Sequence, residues 1–197
     1  YLMSRSQDEK YYWITVDNLV PNKEYIFQYF VDGEIRIADP YTNKTSDPWN
    51  DQYISEAIYP GLIPYPAGYT SQIASVLQTA QDEYVWSNEE FSAPAKENLL
   101  IYELLIRDFM VDHTFNGLID TLDYIQNLGI NAIELLPVSE FEGNESWGYN
   151  PSFYFAVDKY YGHANTFKAF VDSAHSRGIA VIIDMVLNHS YGQSPLA

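Results

Sequence analysis

Cysteine is absent from these 197 residues, so disulfides and thiolate metal sites are excluded and the redox compartment leaves no trace. Basic residues are scarce: 10 Lys and Arg stand against 27 Asp and Glu, a formal net charge of −17. A surface this acidic repels phosphate backbones and anionic membranes, which argues against nucleic acid and lipid as partners. No apolar run reaches spanning length, so membrane insertion is not expected. Zinc-ligand spacings, a phosphate-cradling glycine loop and a serine nucleophile elbow are also missing. The opening Tyr1-Leu-Met-Ser-Arg-Ser6 lacks a signal-peptide layout and reads as the middle of something longer.

Apolar residues are plentiful at 47%, ample for a packed core. Aromatics reach 16%, with 18 tyrosines. Sugar-binding surfaces use such rings, but so do ordinary cores, and composition alone favours the core.

The first third reads as antiparallel β. Residues 11–16 and 25–31 are rich in β-branched and aromatic side chains, and Asp32-Gly33 before Glu34-Ile-Arg-Ile-Ala38 is the preferred two-residue hairpin turn. Residues 1–58 are therefore expected to be the C-terminal part of an all-β, immunoglobulin-like sandwich. Residues 59–98, with Pro60, Gly61, Pro64, Pro66 and Gly68, are expected to be a linker or wrapping segment, with one strand over 73–79.

From Leu99 the pattern becomes strand, helix, strand, helix, strand. A buried strand over 99–108 carries an unexpected Glu103. Leu118, Leu122, Ile125 and Leu128 recur at helical spacing, with Gly129 at the left-handed C-cap. A second strand covers 132–138. Asn165 is the expected N-cap of a second helix whose apolar face is Phe167, Phe170, Val171 and Ala174, with His175 on the solvated side. The third strand, Gly178-Ile-Ala-Val-Ile-Ile-Asp-Met-Val-Leu-Asn-His189, is apolar without alternation, which suits a parallel strand covered on both faces. Right-handed crossovers then give three adjacent parallel strands of an α/β sheet over 99–197.

The carboxyl ends of such strands share one rim, where α/β proteins bind ligands. The first end leads to Arg107, Asp108 and His113. The second leads to a long loop from Glu140 through Trp147 and Tyr149 to Pro151, and the third to Asp184, Asn188 and His189. An imidazole, an amide and flat rings suit a neutral polyhydroxylated ligand. Taken singly, Asp184, Asn188 and His189 would equally well satisfy backbone groups where strand becomes loop, and Trp147 and Tyr149 alone read first as loop anchors packed on the core.

Asp184-Met-Val-Leu-Asn-His189 resembles the first signature region of the α-amylase family, glycoside hydrolase family 13. Trp147-Gly-Tyr-Asn-Pro151 with Ala156-Val-Asp-Lys-Tyr-Tyr-Gly162 resembles its second-strand loop. Ile101-Tyr-Glu103 and Gly129-Ile-Asn-Ala-Ile-Glu-Leu-Leu-Pro-Val138 resemble its first and second strands. The resemblance implies the first three strands of a (β/α)₈ TIM barrel and a parent enzyme acting on α-1,4 or α-1,6 glucosidic bonds of starch, glycogen or maltooligosaccharides. It implies that Tyr149 stacks under a sugar and that His189 bonds its hydroxyls, with Trp147 nearby and Asp184 supporting the architecture around the nucleophile. No obligatory cofactor is implied; a structural calcium ion with Asn188 as a ligand is allowed. The family's nucleophile and acid/base come from later strands, so this stretch is expected to be an amino-proximal fragment, inactive alone. Branching or debranching transglycosylases and a non-catalytic glucan-binding protein stay open as alternatives. A secreted, periplasmic or cell-surface location is the favoured expectation over a cytoplasmic one.

Overall fold

The computed structural model describes residues 1–197. Strands β1 (Ser4–Arg5) and β2 (Tyr12–Trp13) form an antiparallel ribbon. The expected strand over 11–16 shortens to two residues because Tyr11, Tyr12 and Trp13 all face solvent, with no second layer to pack against.

The run over 25–31 divides into β3 (Glu24–Phe27) and β4 (Tyr29–Val31). Between them Gln28 turns aside: its Nε2 donates to the Ile73 carbonyl at 2.8 Å and its Oε1 accepts from Thr70 at 2.8 Å. β4 pairs with β5 (Ile35–Ile37) as a hairpin. Asp32 and Gly33 both take positive φ, 54° and 75°, and Glu34 N–H closes the turn on the Val31 carbonyl at 3.0 Å. Val31 then pairs with Ile35, leaving Glu34 as an extra residue on the second strand. β6 (Thr45–Ser46) and β3 flank β7 (Ala74–Gln78) in an antiparallel sheet ordered β3-β7-β6. The expected strand near 73–79 is thus the centre of the upstream sheet, although it falls inside the segment read as linker.

Downstream the chain is α/β. β8 (Ile101–Leu104), β9 (Ala132–Leu135) and β12 (Ala180–Ile183) lie parallel in the order β12-β9-β8, with Leu104, Leu135 and Ile183 in register. Helix α1 (Ile106–Phe109) is one turn, so the first strand stops at Leu104 and not at Asp108. Helix α2 (Phe115–Asn127) begins at Thr114, whose hydroxyl accepts from Gly117 N–H at 3.0 Å, and ends before Gly129 at φ 82°. Helix α3 (Ala164–Ser176) starts one residue before the expected cap: His163 is the N-cap, and Asn165 lies inside the first turn. Leu118, Leu122 and Ile125 of α2 and Phe170 and Ala174 of α3 are fully buried against Leu104, Ile133 and Leu135. Each of the leucine, isoleucine and phenylalanine side chains among them contributes about 1.5–3 kcal/mol of burial. His175 is not merely solvated; it stacks on Phe91 with ring centroids 3.9 Å apart. It thereby helps hold the incoming segment, which is also pinned where Ser87 N–H and Asn88 N–H donate to Asp172 at 2.9 and 3.0 Å.

The loop expected between the second strand and the second helix contains an antiparallel pair, β10 (Ser139–Phe141) and β11 (Pro151–Val157). Here Glu140 faces inward rather than toward the rim. Lys159 Nζ, fully buried, pairs with Glu140 and Asp51 and donates to Thr45 Oγ1 at 2.5 Å. Thr45 in turn donates to Glu140 Oε1 at 2.9 Å. Both Thr45 and Asp51 belong to the upstream part, so one buried ion cluster ties it to the α/β part.

Candidate active site

The three parallel strands show two chemically different faces. Tyr102, Leu104, Ile133 and Leu135 join the core beneath α2 and α3, so by strand alternation Glu103 and Glu134 stand side by side on the opposite face. Asp184, two residues beyond Ile182, continues that face past the end of β12. Its N–H donates to the Leu135 carbonyl at 2.9 Å, which carries the ladder one residue further.

Tyr149 arrives from the loop before β11. Gly148 precedes it at φ 87°, and a Cβ there would collide with the Pro137 carbonyl, so glycine permits the close approach of loop to strand end. The Ser146 hydroxyl bonds Asn150 Oδ1 and accepts from Gly148 N–H at 3.0 Å, fixing the turn. The Tyr149 hydroxyl then donates to Asp184 Oδ2 at 2.5 Å. This bond, aided by burial and by the charges of Asp184, Glu103 and Glu134, pushes the phenol up to about 12. The ring stays protonated at any ordinary pH and is 39% exposed, anchored at its hydroxyl with its body accessible.

His189 completes the group. Its Nε2 lies 2.9 Å from the Tyr149 carbonyl oxygen. A carbonyl only accepts, so Nε2 carries the hydrogen and Nδ1 of the neutral ring is left as an acceptor. The loop is held from behind by Tyr154, whose hydroxyl donates to the His189 carbonyl at 2.6 Å, and by Tyr191 N–H donating to the Pro151 carbonyl at 2.8 Å.

Tyr149, Asp184 and His189 therefore meet, while other rim candidates do not join them. Arg107 and Asp108 pair with each other at 2.7 Å on α1. His113 stacks on Tyr160 with centroids 4.3 Å apart. Trp147 is 61% exposed and Asn188 is exposed; no hydrogen bond or ring contact links either to the triplet. Asn188 offers one carbonyl oxygen, and no three His, Asp or Glu side chains converge as metal ligands. Calcium takes six to eight oxygens, so these residues by themselves do not make its cage. Tyr154 and the Glu103–Glu134 pair were not anticipated. The aromatic and β-branched density of Phe153, Tyr154, Phe155 and Val157 was the available signal for β11.

A solved structure of a Salmonella typhimurium protein provisionally assigned as an alpha amylase matches 98% of this chain and 29% of its own, with TM-score 0.75 and 26% identity. The malto-oligosyltrehalose trehalohydrolase of Saccharolobus solfataricus is 33% identical over 189 residues, 96% of this chain and 29% of that protein. The chloroplastic isoamylase 1 of Arabidopsis thaliana is 28% identical over 85% of this chain and 26% of its own length. The chain thus spans less than a third of these relatives. The family description "Alpha amylase, catalytic domain" matches residues 78–194, more than half of the chain, and the chain belongs to the alpha-amylase family.

Proposed function

We propose that the gene product containing this chain is an α-glucan-active retaining glycoside hydrolase, cleaving α-1,4 or α-1,6 glucosidic bonds. In this reading β8, β9 and β12 are the first three strands of a (β/α)₈ barrel, and the upstream strands are the end of an immunoglobulin-like sandwich. The observation that carries it is the Tyr149–Asp184–His189 triplet at the strand ends. The anchored phenol ring offers a flat apolar surface to one glucose unit, and His189 Nδ1 accepts a hydrogen bond from one of its hydroxyls. Asp184, already engaged by Tyr149, suits support and not attack. The attacking carboxylate and the acid about 5 Å from it belong to strands beyond the three present here. By the same reading the 197 residues alone release no reducing sugar.

The test is to assay the complete gene product on soluble starch, maltooligosaccharides and pullulan, following the first-formed anomer by NMR. Release of α-anomeric product supports the reading; an inverted product, or no hydrolysis of any α-glucan, contradicts it.

A second reading is favoured by the similarity that runs along 96% of the chain to a malto-oligosyltrehalose trehalohydrolase. Trehalose released from a malto-oligosyltrehalose at a rate exceeding starch hydrolysis selects it.

A further inference from the structure

Tyr149 rides on a loop, residues 142–150, that joins β10 to β11. Much of its hydrogen bonding closes on itself. Glu142 N–H donates to the Asn150 carbonyl at 3.3 Å, and Asn150 Nδ2 to the Glu142 carbonyl at 3.2 Å. Such bonds fix the loop's shape but not where it sits. At its Tyr149 end the loop meets Asp184 and His189. Nearer its start, Asn144 Nδ2 donates to the Asn50 carbonyl at 3.0 Å, 94 residues earlier in the chain. This is the loop's one hydrogen bond to the upstream part.

The acceptor is itself firmly built. The buried Asp47 carboxylate takes Trp49 N–H at 2.7 Å and Asn50 N–H at 3.3 Å on Oδ1, and Asn50 Nδ2 at 2.8 Å on Oδ2. Tyr53 N–H donates to the same Asn50 carbonyl at 3.0 Å. Asp47 N–H in turn donates to Asp51 Oδ2 at 2.8 Å, and Asp51 lies 3.2 Å from Lys159. Lys159 also pairs with Glu140 of β10, the strand from which the loop departs. The path from Asn144 through Asn50, Asp47, Asp51 and Lys159 to Glu140 therefore closes on the loop's own root. Root and midpoint are referenced to one buried frame.

A stacking ring serves its ligand only where its plane is held in place, and a misplacement of about 1 Å is enough to cost much of the effect. We propose that Asn144, bonded to the carbonyl that Asp47 holds at Asn50, is a positioning residue for Tyr149. In this account the upstream part takes a share in substrate binding without touching the sugar, by setting where the Tyr149 loop stands. This inference rests on the α-glucan reading given above.

Steady-state kinetics of the complete gene product on maltotetraose, with hydrogen exchange of the loop amides followed by mass spectrometry, tests it. Asn144 is the residue to change, because Asp47→Ala would strip three donors of their acceptor at once. Asn144→Ala is expected to raise KM by about three- to ten-fold, the size of one lost neutral hydrogen bond, with kcat moving by less than about two-fold. Asn144→Asp, equal in size but with an acceptor in place of the donor, should lose at least as much. Exchange over residues 145–150 should quicken by a similar factor. In a Tyr149→Ala background, Asn144→Ala should add less than about two-fold to the loss in kcat/KM, because it acts through that ring. Full additivity of the two losses overturns the proposal, as does wild-type KM in either Asn144 variant. Quickened exchange without hydrolysis of any α-glucan keeps Asn144 as the loop's anchor and removes the proposed activity. Hydrolysis with KM and exchange unaltered by Asn144→Ala does the reverse.

Discussion

The Tyr149 hydroxyl and the Asp184 carboxylate, 35 residues apart in the chain, lie 2.5 Å from each other at the ends of neighbouring strand–loop units. The bond has two effects. It fixes the ring's angle above the strand ends, and it satisfies a carboxylate that would otherwise stand beside Glu103 and Glu134 with no partner.

Tyr149→Phe removes that bond and keeps the aromatic surface. Hydrogen bonds to charged groups contribute about 1.5–3 kcal/mol, so kcat/KM of the complete gene product on maltooligosaccharides should fall by roughly 10- to 100-fold. Tyr149→Ala, losing the stacking ring as well, should fall further. Steady-state kinetics on maltotetraose measures both; equal rates for Phe and wild type would remove the hydroxyl from the account.

His189→Ala deletes both the donor to the Tyr149 carbonyl and the free Nδ1 acceptor. Turnover on soluble starch should drop by about 10²-fold or more. The imidazole is exposed, so the melting temperature should stay close to wild type. A large loss of stability with little loss of turnover would make His189 a loop anchor only.

Lys159→Met leaves Glu140 and Asp51 buried without their shared cation. Burial by itself pushes the lysine ammonium down, but the Glu140 and Asp51 charges outweigh it and hold it above its ordinary value, and its removal should cost about 3–5 kcal/mol in urea unfolding. Adding Glu140→Gln to Lys159→Met should recover part of that loss. A double variant no more stable than the single would mean that packing, not charge, makes Lys159 matter.

Asp158 supplies a pH dependence. Burial, with the Glu140 charge beside it and only partly offset by Lys159, raises its carboxyl well above the ordinary range. A group raised on folding stabilises fully below its unfolded pKa, about 3.9, and that contribution is lost as pH rises through the folded value. Asn in its place still accepts from Tyr160 N–H and cannot ionise. The stability of Asp158→Asn relative to wild type should therefore climb as pH rises from about 4, the unfolded value, through the raised folded one. Parallel stability curves over that range would contradict the raised carboxyl.

Local signals carried much of this architecture. The spacing of Leu118, Leu122 and Ile125 gives the buried stripe of α2, and the positive φ of Asp32 and Gly33 follows from the turn chemistry of that dipeptide. The apolar runs of β9 and β12 gave the parallel pair, and the strand-end rule brought Tyr149, Asp184 and His189 to one rim. What stayed hidden depends on partners far away in sequence. A lysine is almost never buried unless paired, and the groups that admit Lys159 include Thr45 and Asp51, more than a hundred residues earlier. Glu140 reads as a loop carboxylate for the same reason, and β11 hides behind a polar, glycine-containing approach from Glu142 to Asn150. The break at Gln28 is set by Thr70 and Ile73, again beyond the reach of any local pattern.

The most direct measurement is a crystal structure of the complete gene product soaked with a maltooligosaccharide. A glucose ring should lie flat against Tyr149, with one of its hydroxyls donating to His189 Nδ1 and the Tyr149–Asp184 bond unbroken. Sugar bound elsewhere, with Tyr149 and His189 making no contact to it, would contradict the assignment of this triplet as the substrate site.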